Sequence, residues 1–333
     1  NKAIKLKPDY AEAYYNLANI SYSQGKYKEA VAGYNKSIEL KPHFVGAYDN
    51  LGTGLHNLGR SEEASNSYKK GIILKPDFVQ AYWNKHRYSL DVTDAICTLK
   101  KALVADPSHV QSLITLAGLK AKMGDVCDYD ALSHKIISNG PLKRSFDWFF
   151  RLKKQPKIYF NRWHFFDEMI ALSDKSRPFY EYGVWMGVSF KYFTKSFKKG
   201  YGFDTFAGLP EDWHDEKAGT YSSFGAIPKI EGGEFIVGKF EDTLPEFFSE
   251  DRPKASIINF DADLYSSTLC ALRNSKEIID EKTILIFDEF IINESWEQDE
   301  YKALNDFCVE FDLSYEVLGV SFMTKQVAVK IVS

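Results

Sequence analysis

Apolar and polar positions along the chain follow two different periods, and the change falls near Gly140-Pro141. Before it, Ala13, Ala47 and Ala81, Tyr14, Tyr48 and Tyr82, and the pairs Lys7-Pro8, Lys41-Pro42 and Lys75-Pro76 stand 34 residues apart. A period of that length predicts stacked helix pairs, because one pair alone cannot bury its apolar face. Within one unit, AEAYYNLANISYSQG predicts a first helix closed by Gly25, and KYKEAVAGYNKSIELKP predicts a second stopped near Pro42. Ala18 and Gly52 fall where two helices would approach closely. A third unit is short, with Pro107 only 31 residues after Pro76, and a degenerate fourth around LITLAGLKAKMGD is expected to cap the stack. The opening NKAIKLKP reads as the end of a preceding second helix, so an earlier repeat is expected before it.

From Pro178 onward the pattern becomes strand, loop, helix. FYEYG, KGYGFD, EFIVGKF, ASIINFD and TILIFDEF are short apolar runs ending in acids or glycines, most of them separated by helical stretches. That alternation predicts a mostly parallel sheet covered on both faces. YEVLGV and QVAVKIV follow without a helix between them, so an antiparallel strand pair is expected at the sheet edge. The expected organisation is an all-α repeat domain over 1–140, a linker over 141–157 and an α/β domain over 158–333.

Composition narrows the function classes. A chain of 333 residues is long for one core. Its net charge of −4 argues against a nucleic-acid binder that relies on a basic surface. Cys97, Cys127, Cys270 and Cys308 show no pairing or metal spacing, which fits a reducing compartment, and the cytoplasm is expected. No apolar run reaches the roughly 18 residues of a membrane span.

The first part resembles the tetratricopeptide repeat family, whose pattern of aromatic, Leu-Gly/Ala, Gly, Ala, aromatic and Pro is matched from about residue 11 to 78. The resemblance implies a protein or peptide partner. Asn16, Asn50 and Asn84 occupy one position in three successive first helices, so their amides are expected to form a ladder with spare donors and acceptors for a peptide backbone. The related repeats of the O-linked N-acetylglucosamine transferase carry a similar ladder.

In the second part, EYGVWMGVS ends the first strand, and Gly183 and Gly187 permit a tight turn before a helix. Asp204 stands at the end of the next strand, where a ribose diol needs an acceptor. Together these residues resemble the S-adenosylmethionine-dependent methyltransferases of the Rossmann-like class. FDTFAGLPEDW, GKFEDTLP, FDADLYSST and FDEF extend the likeness to the macrocin O-methyltransferase family, over roughly 179–331. The resemblance implies that Glu181, Gly183, Gly187, Asp204, Thr205 and Asp261 hold the cofactor; Asp242 either approaches the adenine or caps the helix beginning near Pro245.

Asp261, Asp288 and Glu289 end neighbouring strands and are expected to converge. Carboxylates gathered in a cleft raise one another's pKa, and a bound cation removes that cost. Oxygen ligands alone suit magnesium. His214, in a polar loop, is a candidate base, and Asp263 is either a base or an alternative metal ligand. The glycine-rich EKAGTYSSFGAIPKIEGGEF is either a lid or an ordered loop. The expected function is metal-assisted O-methylation of a hydroxyl on a small molecule or glycan. An inactive repeat scaffold with a methyltransferase-like domain, or a metal-dependent hydrolase using the same acids, are the alternatives.

Overall fold

A computed structural model describes residues 2–132 and 139–332. The chain divides into two compact units, Asn1–Ser138 and Asn139–Ser333.

The first unit is helical: α1 (Lys2–Leu6), α2 (Ala11–Ser23), α3 (Tyr27–Leu40), α4 (Val45–Asn57), α5 (Ser61–Leu74), α6 (Val79–Lys85), α7 (Val92–Ala105), α8 (Val110–Lys122) and α9 (Cys127–Leu132). Ala18, Ala30, Val31, Tyr34, Leu51, Leu55, Ala64 and Tyr68 form the core of the first two pairs. Small residues set the spacing. A Cβ added at Gly33 would lie 2.8 Å from that of Ala18, and one added at Gly52 would lie 2.6 Å from the Tyr68 ring. The short third unit has a truncated first helix, since α6 gives way to a 3-10 turn over His86–Tyr88.

The asparagine ladder differs from expectation. Asn50 donates its amide to Tyr15 Oη and to Asn19 Oδ1, both at 2.9 Å, and the buried Asn84 donates to Asp49 Oδ1 at 2.9 Å. These amides tie one helix pair to the next, and of the three only Asn16 is exposed.

The second unit begins with α10 (Pro141–Arg151), inside the stretch expected to be a linker, and β1 (Lys157–Tyr159), which starts at the last residue of that stretch. The cause is apolar: Phe146 stacks on Phe322 with ring centroids 3.9 Å apart, and Phe149 meets the same ring edge-on. There follow α11 (Arg162–Leu172), β2 (Phe179–Tyr182), α12 (Val188–Phe193), β3 (Gly200–Asp204), β4 (Gly233–Val237), α13 (Phe240–Phe247), β5 (Ile257–Phe260), α14 (Tyr265–Ser275), β6 (Ile284–Phe287), α15 (Glu300–Glu310), β7 (Ser314–Ser321) and β8 (Gln326–Val332).

One sheet takes them in the order β1-β7-β8-β6-β5-β2-β3-β4. The run from β4 through β3, β2 and β5 to β6 is parallel, and β8 is antiparallel to both β6 and β7. The sheet is thus mostly parallel and carries one antiparallel pair. The pair does not end the sheet, because β1 adds a parallel strand outside β7. Strands β2, β5 and β6 are buried throughout, as a sheet covered on both faces requires. On one face Phe165, Phe166 and Met169 of α11 and Phe190 and Phe193 of α12 pack over Phe179, Ile257, Ile284 and Ile286.

Candidate functional site

Register lines up the site. Phe203, Tyr182, Phe260 and Phe287 are partners across β3, β2, β5 and β6, with successive ring centroids 4.8, 5.4 and 4.8 Å apart. Backbone bonds continue the ladder one residue further, from Gly183 N to Phe203 O, Asp261 N to Tyr182 O and Asp288 N to Phe260 O. The next row therefore reads Asp204, Gly183, Asp261, Asp288. Because side chains alternate along a strand, the row turns from the aromatic face toward the face that carries Glu181 and Asn259.

Asp204 closes the glycine turn. Its Oδ2 accepts from Val184 N and Trp185 N at 2.7 Å each, and its Oδ1 accepts from Phe206 N at 2.6 Å. A carboxylate offers about four acceptor positions, so one remains for a ligand. Gly183 has φ +86°, and a Cβ there would stand 2.6 Å from the Asp261 carbonyl carbon and closer still to its oxygen. The backbone at this glycine thus closely approaches the end of β5. Gly187, at φ +69°, starts α12 and packs under Pro228 and Ile230. The glycine-rich loop is folded down on this turn, and Tyr221 sets its ring edge against Trp185.

Beneath the row lie polar atoms that the fold leaves open. Glu181 is fully buried; its Oε1 accepts from Ser189 Oγ at 2.7 Å, and among the described residues its Oε2 has no partner. Burial, helped by the charges of Asp288 and Asp204, pushes its carboxyl up to about 8. Asn259, its register partner on β5, is also fully buried, with neither amide atom bonded among the described residues. The Glu181 carboxyl keeps its proton in the folded state while the unfolded chain ionises, so its contribution is fully present below about 4.5 and is lost as pH rises toward about 8. Glu181→Gln is expected to flatten that decline, by up to about 1.4 kcal/mol per pH unit, in urea titrations at pH 5 and pH 8. Parallel curves for the variant and the wild type would contradict this assignment.

The acids at the β5 and β6 ends are not three free carboxylates. Asp288, 4% exposed, is held by Arg162 Nη2 at 2.6 and 2.9 Å and by Gln326 Nε2 at 2.5 Å. Glu289 is held by Lys325 Nζ at 2.7 Å. Burial first, then the charge of Asp288, raises Asp261, while Arg162 opposes the rise. Asp263, at φ +60°, is pushed up to about 8 by burial and by Glu289 and Asp288. Behind them Glu300 is fully buried, accepts from Glu289 N at 3.0 Å and is raised by burial. Among the described residues no three His, Cys, Asp or Glu side chains are gathered as a metal site. The expected set of Asp261, Asp288 and Glu289 does not fit a divalent ion here, because Arg162 and Lys325 already supply the countercharge at two of its members.

His214 lies at the border of this cluster, its Nε2 3.0 Å from Asp299 Oδ2. Tyr221 faces the cluster too: burial and then the charges of Glu216, Asp263, Glu289 and Asp261 push its hydroxyl up to about 12. The Thr205 hydroxyl bonds within its own turn, to Gly208 O and Ala207 N. Asp242 is exposed in the first turn of α13, which starts at Phe240 rather than near Pro245 and has no side-chain cap. Arg162, Lys325, Gln326, Asn259, Asp299 and Glu300 were not expected. Only Asn259 left a sign, as a polar residue inside the apolar run ASIINFD.

Two models of the tetratricopeptide repeat match residues 11–44 and 45–78. These helix pairs are tetratricopeptide repeats. No curated protein matches the chain. Solved structures similar to it include the first tetratricopeptide domain of Spaghetti (RPAP3) bound to the HSP90 peptide SRMEEVD, at 18% identity and TM-score 0.32, covering 34% of this chain and 93% of that one. The Arabidopsis OM64 tetratricopeptide domain has 19% identity and TM-score 0.32, with 34% and 95% covered. The O-methyltransferase NovP has 16% identity and TM-score 0.38, with 49% and 78% covered. In this chain no helix among the described residues is long and apolar enough to cross a membrane.

Proposed function

We propose that the second unit is an S-adenosylmethionine-dependent O-methyltransferase whose acceptor is a hydroxyl of a sugar or glycan, and that the tetratricopeptide unit recruits a protein or peptide partner. The observation that carries this reading is the coincidence of the acid row with unsatisfied buried polar atoms. Glu181 Oε2, both amide atoms of Asn259 and the remaining position on Asp204 lie at the carboxyl ends of adjacent parallel strands, where such sheets take their ligands. A buried polar group without a partner costs about 1–3 kcal/mol, so a polar ligand that satisfies it is favoured.

In this reading Glu181, Asn259 and the turn from Gly183 to Gly187 hold the methionine end, Asp204 accepts from the ribose, and Asp261 borders the reacting centre. When bound, the cofactor supplies a methyl group on a positively charged sulfur. The chain's own part is to position the acceptor oxygen and remove its proton. Asp263, pushed up to about 8, carries a proton at neutral pH; it is suited to donate to the acceptor and hold it, leaving His214 as the base. Incubation with methyl-labelled S-adenosylmethionine and a pool of nucleotide sugars tests the reading. Label is expected in a sugar hydroxyl of the pool; cofactor bound without transfer to any hydroxyl acceptor would contradict it.

A further inference from the structure

A tight turn and a carboxylate from a distant part of the chain both hold His214. It sits in a tight turn closed by Trp213 N to Glu216 O at 2.9 Å and Glu216 N to Trp213 O at 2.8 Å. Its φ of +50° is left-handed, a backbone conformation strained for a residue with a Cβ. Backbone strain of this kind persists where the surroundings over-determine it. The surroundings here are the Trp213 ring, 4.9 Å from the imidazole, and Asp299, 85 residues further along the chain. Asp299 is 8% exposed; burial raises its carboxyl, and the hydrogen bond with His214 opposes that rise. It precedes α15 without capping it, so its side chain has no helix-terminal role. Asp299 directly precedes Glu300, whose buried carboxyl accepts from Glu289 N at 3.0 Å, which places the pair beside the carboxylate cluster.

An ionised carboxylate only accepts, so the imidazole must donate from Nε2, and in the neutral ring the lone pair is then on Nδ1. Resting on the methyltransferase reading, we propose that Asp299 is the positioning residue that fixes His214 with Nε2–H toward itself, so that Nδ1 is the general base for the acceptor hydroxyl. The hydroxyl proton passes to Nδ1, the oxygen's electron pair forms the bond to the methyl carbon, and the pair from the broken carbon–sulfur bond stays on sulfur. The resulting imidazolium faces the Asp299 carboxylate and returns its proton to water.

The test uses the full chain labelled with ¹⁵N-histidine, the His214 signals being assigned by their loss in His214→Gln. The wild type is expected to show a slowly exchanging, low-field Nε2 proton that disappears in Asp299→Ala. Cofactor affinity by calorimetry should agree within about twofold between the two, since Asp299 acts on the acceptor side. Transfer of labelled methyl to the nucleotide-sugar pool should fall by about 100-fold in Asp299→Ala and recover in part in Asp299→Glu. A wild type protonated on Nδ1, an Nε2 proton that survives in Asp299→Ala, or equal transfer rates would overturn the proposal while leaving cofactor binding intact. A wild type that binds no cofactor would instead overturn the methyltransferase reading and the proposal with it.

Discussion

Gly183→Ala is expected to destabilise the second unit by roughly 4 kcal/mol or more, the range of the most damaging single substitutions. Two costs act together. The residue has φ +86°, where an L side chain is strained, and the new Cβ would overlap the carbonyl of Asp261, whose backbone is fixed by the β2–β5 ladder. Neither cost has an easy relief, because a shift of Gly183 also moves Val184 and Trp185 off Asp204. Urea titration followed by tryptophan fluorescence reads the second unit, since Trp148, Trp163, Trp185, Trp213 and Trp296 all belong to it and only Trp83 does not. A midpoint close to the wild type's would show that the turn tolerates a side chain and that the Asp261 carbonyl does not crowd it.

Arg162→Ala is expected to cost roughly 3–5 kcal/mol, because it leaves a buried carboxylate without its cation. Asp288 has Gln326 as a further partner, but an amide cannot neutralise it. The double variant Arg162→Ala/Asp288→Asn separates charge from packing: with no anion left to strand, it should recover about half of the loss. Equal losses in the single and double variants would mean that Arg162 acts through its packing alone and that the pairing is unimportant.

The parts of the fold that were readable from the chain are those written in local pattern. Each repeat carries the same small and aromatic residues at the same offsets, and each strand run stops at an acid or glycine that marks its carboxyl end. That Asp261 and the Asp288-Glu289 pair close neighbouring strands was legible from the strand ends alone. What neutralises them was not, since the Arg162–Asp288 pair spans 126 residues and the Lys325–Glu289 pair 36, across register that no local signal encodes. The same limit hid α10 and β1. A three-residue strand carries too little periodicity to see, and the residues of α10 became core only when Phe322 arrived from the far end of the chain. The asparagine amides of the repeats were legible as a row, but their use was not, because Tyr15, Asn19 and Asp49 claim two of them from the preceding unit.

The cofactor assignment, on which the proposed function rests, is tested by calorimetric titration of S-adenosylmethionine into the wild type and into Asp204→Ala, with tryptophan fluorescence confirming that both are folded. Saturable one-to-one binding is expected of the wild type. A loss of about 100-fold or more is expected in the variant, which lacks the ribose acceptor and releases Val184 N–H and Trp185 N–H from the turn. A folded wild type that gives no binding heat and no competition, or a variant that binds as tightly as the wild type, would contradict the assignment.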